Sequence, residues 1–563
     1  MSPSNDEATQ VAVMPPVDYV SPLPPVRSGI ADYSIDLLDA IEDLGAAERL
    51  RIVRVPGQDV AVEGVVSRFP LVEMEELGQD GRVPVYHVGN NTYHEAIYRE
   101  ALKRPGVVVL HDIFLHHLLQ ERHLARASLE GYLEELEHDY GWLGRVVAQP
   151  PRWSAYGQSA LFALPAHRRL LLAQRGVVVH SEWARRFLLE ESLPGELDAE
   201  RVRVVPMVMP TPELSGDVED RAMELRRSWG IPEGAFVLGT FGFQTPIKRS
   251  AAAVKALAEP GLEQVHLVVG GEVSTGLDLD GLAKRFGVEK RVHLVGFLEA
   301  KDFAAALRAC SLFVNLRYPT AGETSASLLR ILALGRAALV SDYAQFREAP
   351  DECCLRIPLS SDPGDLDRVD EEVVELGRRV AEMVEDPTRL DAMGRAARQH
   401  VASRHDPRLA ARAFCAAVSD LAACPLPSEE PRKATAPIPT TLTWGRLESD
   451  LSVDGVDDWQ PGELRKLEIC LHNHSQCRFL ATRRGVGGVT LEVRLEEVSE
   501  DTGSSPLHVP WLELPRDLDP GEQASWTVEL RRPLGPGRLV VEPHVEGGSG
   551  FAASGGARWE LTF

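Results

Sequence analysis

Short β-branched runs alternate with helical spacing through roughly the first 420 residues, and this alternation constrains the fold more than any other feature of the chain. VAVMPPVDYV, RLRIVRVP, VPVYHVG, GVVVLHD, RGVVVHS and VRVVPMVMP are each almost continuously apolar. Strands of that kind are buried on both faces, as in parallel sheets covered by helices. Between the first two, SGIADYSIDLLDAIEDL carries its apolar residues at helical spacing, with Ser28 or Asp32 at its start. The polar stretch TPELSGDVED reads as a hinge. Beyond it FVLGTFG, VHLVVGG, VHLVGF, SLFVNLR and AALVSD restart the alternation. The expected class is therefore α/β, with two successive doubly wound parallel-sheet units.

The pattern changes after residue 423. CPLPSEEPRKATAPIPTT, with its prolines, has the composition of an interdomain linker. LRKLEICLHNH, GVTLEVRLEEV, ASWTVELRR, GRLVVEPHV and ARWELTF then alternate apolar and polar residues between glycine- and proline-bearing turns, as an antiparallel β-sandwich does. The expected boundaries are a first unit over 1–210, a second over 211–405, a crossing helix over 406–425, a linker over 426–440 and a sandwich over 441–563.

Composition narrows the partners. The formal charge of −24 repels phosphate backbones, so general nucleic-acid binding is excluded. No stretch approaches the 18 or so apolar residues of a membrane-crossing helix, and MSPSNDEATQ lacks the basic start of a signal peptide. The seven cysteines are scattered with no CxxC pair, which suits reduced thiols in the cytoplasm.

Polar residues gather where strands are expected to end. SPLPPVRSGIADYS places Gly29 at the first strand-to-helix turn, where main chain can approach a ligand and the helix start favours an anion. YHVGNNTYHEAIY concentrates Asn90, Asn91 and His94; an asparagine there satisfies sugar hydroxyls, although capping of the next helix explains one of the pair. GVVVLHDIFLHHLL delivers His111 and Asp112 to the same edge. The nearby His116, His117 and His123 have no HExxH spacing, and no metal site is expected. GTFGFQTPIKR sets Gly242 before Lys248 and Arg249 in a chain with eight lysines and 52 arginines; paired cations beside glycine suit a pyrophosphate. NLRYPTAGETSASLLRILALG is the most specific string. Its turn through Gly322 leads into Glu323, Thr324 and Ser325 at a helix start, where amides and hydroxyls can receive phosphate oxygens and Glu323 can accept from sugar hydroxyls.

Taken together and in this order, the segments over about residues 12–423 resemble glycosyltransferase family 4, the nucleotide-sugar enzymes of the GT-B fold. The GETSxSLLR form and the appended sandwich resemble one branch of it. The resemblance implies an acceptor-side domain first and a donor-binding domain second. It places Lys248 and Arg249 at the donor diphosphate, His111 beside the donor sugar, and main chain at Gly296 and Phe297 against the base. It implies catalytic roles for His111, Glu323, Lys248 and Arg249, and an acceptor or sugar side at Asn90, Asn91, His94 and Asp112. No cofactor is implied beyond a nucleotide-diphosphate sugar as co-substrate, with a saccharide or lipid-linked acceptor. Peripheral membrane attachment is compatible with this, and the oligomeric state is left open. One departure stands out: aligned from Gly335, the family's second glutamate, which holds the ribose hydroxyls, falls on Arg330, and arginine cannot accept a hydrogen bond. The competing expectation is a catalytically weak, transferase-like scaffold whose sandwich binds carbohydrate or a protein partner.

Overall fold

The computed structural model describes residues 14–124, 128–141, 144–145, 160–192, 196–213, 216–359, 369–426, 447–481, 488–497, 505–508, 511–545 and 556–563. The expected linker lies outside them from residue 427 onward, as does the start of the first expected strand up to residue 13. The chain divides into two compact units, Met1–Arg122 with His167–Pro431, and His123–Ala166 with Arg432–Phe563.

The first unit holds both parallel sheets. β1 (Val17–Val20), β2 (Leu50–Val53), β3 (Leu71–Val72), β4 (Val83–Val88), β5 (Val107–Leu110), β6 (Gly176–Val179) and β7 (Val202–Val204) pair in the order β3-β2-β1-β4-β5-β6-β7. β8 (Phe236–Phe241), β9 (Val265–Gly270), β10 (Val292–Gly296), β11 (Leu312–Asn315), β12 (Ala338–Ser341) and β13 (Cys354–Ile357) pair as β10-β9-β8-β11-β12-β13. This is the GT-B arrangement of two doubly wound sheets. The order reverses beside β1 in one sheet and beside β8 in the other, and open parallel sheets bind ligands outside the carboxyl ends of the strands at that reversal. Register follows from burial: Val17 lies between Leu50 and Val83, and Phe313 between Leu238's neighbour Gly239 and Ala338.

Local chemistry sets the element ends. Ser28 rather than Asp32 starts helix Gly29–Asp43, its hydroxyl accepting from the Ala31 amide at 3.1 Å. The chain returns from the second sheet through helix Pro387–Arg404, and helix Pro407–Ala423 buries Phe414, Val418 and Leu421 beside helix Gly29–Asp43. The two crossings touch: the Met209 amide donates to the His405 carbonyl at 2.9 Å, and His405 Nδ1 meets the Met207 carbonyl at 2.8 Å.

In the second unit, β14 (Ser449–Asp454), β15 (Leu464–Asn473) and β19 (Gln523–Arg531) make one antiparallel sheet. β16 (Val489–Glu497), β17 (Ser505–His508), β18 (Leu512–Glu513), β20 (Gly537–Val545) and β21 (Trp559–Thr562) make the other. Leu467, Ile469 and Leu471 share a core with Leu491, Val493, Leu539 and Val541, so the two sheets form the expected sandwich. Trp459 is buried in that core; Trp526 and Trp559 pack against it, and Trp511 lies beside His544. Among the described residues no helix is long and apolar enough to cross a membrane.

Candidate functional site

At the reversal of the second sheet, Lys248 folds back toward the end of β8. Its Nζ donates to the Phe241 carbonyl at 2.8 Å, and a Cβ on Gly242 would stand 2.4 Å from that nitrogen. Gly242 has φ +99°, so it serves both a backbone conformation that side chains resist and the passage of the lysine. Burial, and then the charge of Arg317, push the Lys248 ammonium down to about 7, opposed by Glu323.

A prediction follows from that contact. Gly242→Ala and Gly276→Ala should cost similar stability, about 1–2 kcal/mol each, because both replace a glycine with φ near +98°. A Cβ at Gly276 meets nothing within 4 Å, so only Gly242→Ala should also weaken pyrophosphate binding. Calorimetric titration with melting curves separates the two effects, and equal affinity in both variants would refute the lysine's placement.

The adjacent basic pair is divided by the structure. Arg249 turns inward with φ +55°, and its Nε lies 3.1 and 2.9 Å from the two carboxylate oxygens of Glu372, which is 1% exposed. A second nitrogen of the same guanidinium also binds that carboxylate. The second cation beside Lys248 is instead Arg317, buried just after β11, a residue the sequence reading did not single out.

Arg317 is held by the GETS turn. Its Nε donates to Glu323 Oε1 at 3.3 Å, while Glu323 Oε2 accepts from Thr320 Oγ1 at 2.7 Å and from the Ala321 amide at 3.0 Å. Ser325 caps helix Ala326–Ala333 by accepting from the Leu328 amide at 3.2 Å, and Asn315 ties Ser325 and Ser327 together. Thr324, between Glu323 and Ser325, is half-buried.

The carboxyl edge of the first sheet meets this turn. The Ile113 and Phe114 amides donate to the Ala321 carbonyl at 2.7 and 3.0 Å, and a Cβ on Gly322 would strike Ile113 at 2.6 Å. Asp112 accepts from the Asn90 amide at 2.8 Å, and burial followed by the charge of Glu323 pushes its carboxyl up to about 7. The charge of Glu323 on the second sheet's turn thus acts on a carboxyl of the first sheet's edge. Gly29 stands at an open helix start, since a Cβ there meets nothing within 4 Å. Phe297 is exposed after β10 with the Arg27 guanidinium 5.4 Å from its ring, and the Gly296 carbonyl accepts from Gly271 at 2.6 Å.

Other residues singled out in the sequence are engaged in supporting this edge. His111 is buried in a chain of imidazoles, its Nε2 3.1 Å from His87 Nδ1 and its Nδ1 3.2 Å from His180 Nε2. Burial pushes all three well down, and His94, whose Nδ1 meets the His87 carbonyl at 3.0 Å, to about 4. Asn90 Oδ1 accepts from the Leu118 amide at 3.0 Å and Asn91 Oδ1 from Tyr93 at 3.0 Å, so both side-chain oxygens are used on main chain. Arg330 reaches across to the other sheet, donating to Asp32 Oδ2 at 2.9 Å. Among the described residues no group of three or more His, Cys, Asp or Glu is arranged to hold a metal ion.

No family model matches the chain, and no curated protein matches it. Among solved structures, HepE of Anabaena in complex with UDP is similar at 16% identity, covering 72% of this chain and 99% of that one, with a TM-score of 0.47. WaaG, a glycosyltransferase involved in lipopolysaccharide biosynthesis, is similar at 16% identity over 71% and 98% of the two chains, with a TM-score of 0.45. Sucrose-phosphate synthase from Thermosynechococcus elongatus is similar at 14% identity over 70% and 96%, with a TM-score of 0.46.

Proposed function

We propose that the protein is a family 4-like glycosyltransferase that moves a sugar from a nucleotide-diphosphate sugar to a saccharide or lipid-linked acceptor, in cell-surface polysaccharide or glycoconjugate synthesis. The observation that carries this reading is Lys248 beside Arg317 at the strand-order reversal of the second sheet, facing the Asp112 edge of the first. Two cations there suit a leaving diphosphate, whose charge grows as the bond from the anomeric carbon to the β-phosphate oxygen breaks. Glu323 fixes the guanidinium plane of Arg317, so the donor geometry is set before the substrate arrives. The acceptor oxygen attacks the anomeric carbon from the face the diphosphate leaves, which gives retention, and its proton passes to the departing phosphate oxygen, so no divalent metal is needed. His111 acts in this reading as a positioning residue behind Asp112, because its two ring nitrogens are engaged by neighbouring imidazoles. Arg249 braces the lysine loop through Glu372.

Arg330 favours a second reading, the catalytically weak scaffold, because its guanidinium bridges to Asp32. A thermal-shift panel of nucleotide sugars with and without EDTA, followed by mass detection of sugar transfer or hydrolysis, separates the two. A ligand at a hundred times its Kd adds about 2.7 kcal/mol to the folded state, so even a slow enzyme reveals its donor. Donor binding without turnover selects the scaffold; no stabilisation by any nucleotide sugar defeats the enzyme reading. Activity lost in EDTA and restored by magnesium or manganese would overturn metal independence.

A further inference from the structure

A cavity of about 250 Å³ opens among residues that precede β11 and β12, at the amino-terminal edge of the second sheet and away from the cleft. Arg308, Arg336, Arg395 and Arg398 line it, with Gly335 and Gly394 between them. A Cβ on Gly394 would stand 2.4 Å from the Gly335 carbonyl oxygen, so one wall is main chain packed against main chain.

Helix-end capping is the simpler account of these arginines, and it accounts for part of their bonding. Arg308 donates to the Leu334 carbonyl at 3.3 Å, Arg336 to the Arg308 carbonyl at 2.8 Å, and Arg398 to the Ala333 and Pro212 carbonyls at 3.1 and 2.8 Å. Carbonyl oxygens satisfy donors but leave the positive charge in place. Glu219 pairs with Arg308, with an Nε–Oε1 distance of 2.7 Å, and Asp391 is the carboxylate on the lining. Arg226, close enough to repel Arg336, is itself bonded to the Ala309 and Ala235 carbonyls. Five guanidinium groups thus share two carboxylates in a protein of net charge −24. Arg336 Nε is buried with no hydrogen-bond partner among the described residues. Burial, then repulsion by Arg308, push that guanidinium down to about 10. Arg395 is exposed at the mouth.

We propose that this arginine cavity is a second anion site, separate from the donor cleft, that takes a phosphomonoester such as a sugar phosphate. A phosphoryl dianion would neutralise the excess positive charge of the lining, and the volume leaves room for a small group beyond it.

The test is titration of the full chain with a hexose monophosphate and with inorganic phosphate, by calorimetry and by melting, in wild type, Arg395→Ala, Arg336→Gln and Lys248→Ala. The hexose monophosphate should bind wild type and Lys248→Ala alike, and at least tenfold more weakly to Arg395→Ala and Arg336→Gln. Arg395→Ala alters an exposed side chain, so it reports on the site even if Arg336→Gln fails to fold. Binding lost in Lys248→Ala, binding unchanged in Arg395→Ala, or no binding to wild type would overturn the proposal. Inorganic phosphate bound as tightly as the ester would overturn the assignment to an ester. UDP affinity retained in Arg395→Ala keeps this result independent of the cleft.

Discussion

Lys248→Ala is expected to lower sugar-transfer turnover by about ten- to a hundredfold with little change in melting temperature. One charge-assisted bond to the leaving diphosphate is worth about 1.5–3 kcal/mol, and the larger share is realised as the leaving-group charge develops. Arg249→Gln, one residue away, should do the reverse. It takes the bonded guanidinium away from the buried Glu372 carboxylate, at a cost of about 3–5 kcal/mol in stability. Lys290→Ala, on an exposed lysine, should change neither quantity. A third readout ties the effect to charge. Burial holds the Lys248 nitrogen at about 7, so at about pH 8 much of it is neutral, and an arriving diphosphate favours the ammonium. Nucleoside diphosphate binding should therefore take up a substantial fraction of a proton in wild type and less in Lys248→Ala, read from calorimetry in buffers of different ionisation heat. A well-folded Lys248→Ala with wild-type turnover would remove the central support for the enzyme reading.

The first unit should lose stability as pH falls from 6.5 toward 4. His87, His94, His111 and His180 are neutral when folded, since burial holds each below the ordinary 6.5, His94 and His180 at about 4. The unfolded chain binds the protons that the folded chain refuses. The stability is thus intact above pH 6.5 and lost progressively as pH falls from 6.5 toward 4. At pH 5 each such imidazole costs about 2 kcal/mol, and several together rival the whole stability of an ordinary domain. Around the cluster stand Tyr19 and Tyr33, themselves pushed upward by burial, and Asp112, whose carboxyl burial raises to about 7. Asp112 works the other way, costing stability as pH rises from about 4 toward 7, and so offsets part of the imidazole effect without reversing the sum over four rings. Urea denaturation midpoints at pH 7.5 and pH 5 give the measurement. Equal midpoints would show that the histidines are protonated or hydrated in the folded protein.

Both parallel sheets were legible because their strands are apolar on both faces, a pattern that local sequence carries by itself. β3 escaped notice because it has two residues, and β13 because Arg356 interrupts a four-residue strand. The site was legible as positions and less so as partners. Lys248 and Arg249 look alike as neighbours, and what separates them is Glu372, 123 residues later. Arg317 sits between Leu316 and Tyr318 at a strand end, where a buried cation has no local signature. Asn90, Asn91 and His111 were noticed for their polarity, yet polarity at a strand end serves main-chain amides and neighbouring rings as readily as it serves a ligand. The three imidazoles of the chain come from three separate strand ends, and only the order of the sheet brings them together.

The place where the chain crosses twice between its sheets has a mechanical consequence. Two ties set far apart would allow rotation only about the line joining them, whereas ties set side by side act as a single joint. The bonds joining Met207 and Met209 to His405 make the crossings such a joint. Any widening of the cleft then pivots there, and the bonds that yield include Arg330 to Asp32, the Ile113 and Phe114 amides to Ala321, and the Glu182 and Trp183 amides to the Glu348 carboxylate. An ion pair in water and a few main-chain bonds are a modest clasp on a stiff joint, an arrangement in which the strength of the clasp, more than the joint itself, sets how often the cleft opens.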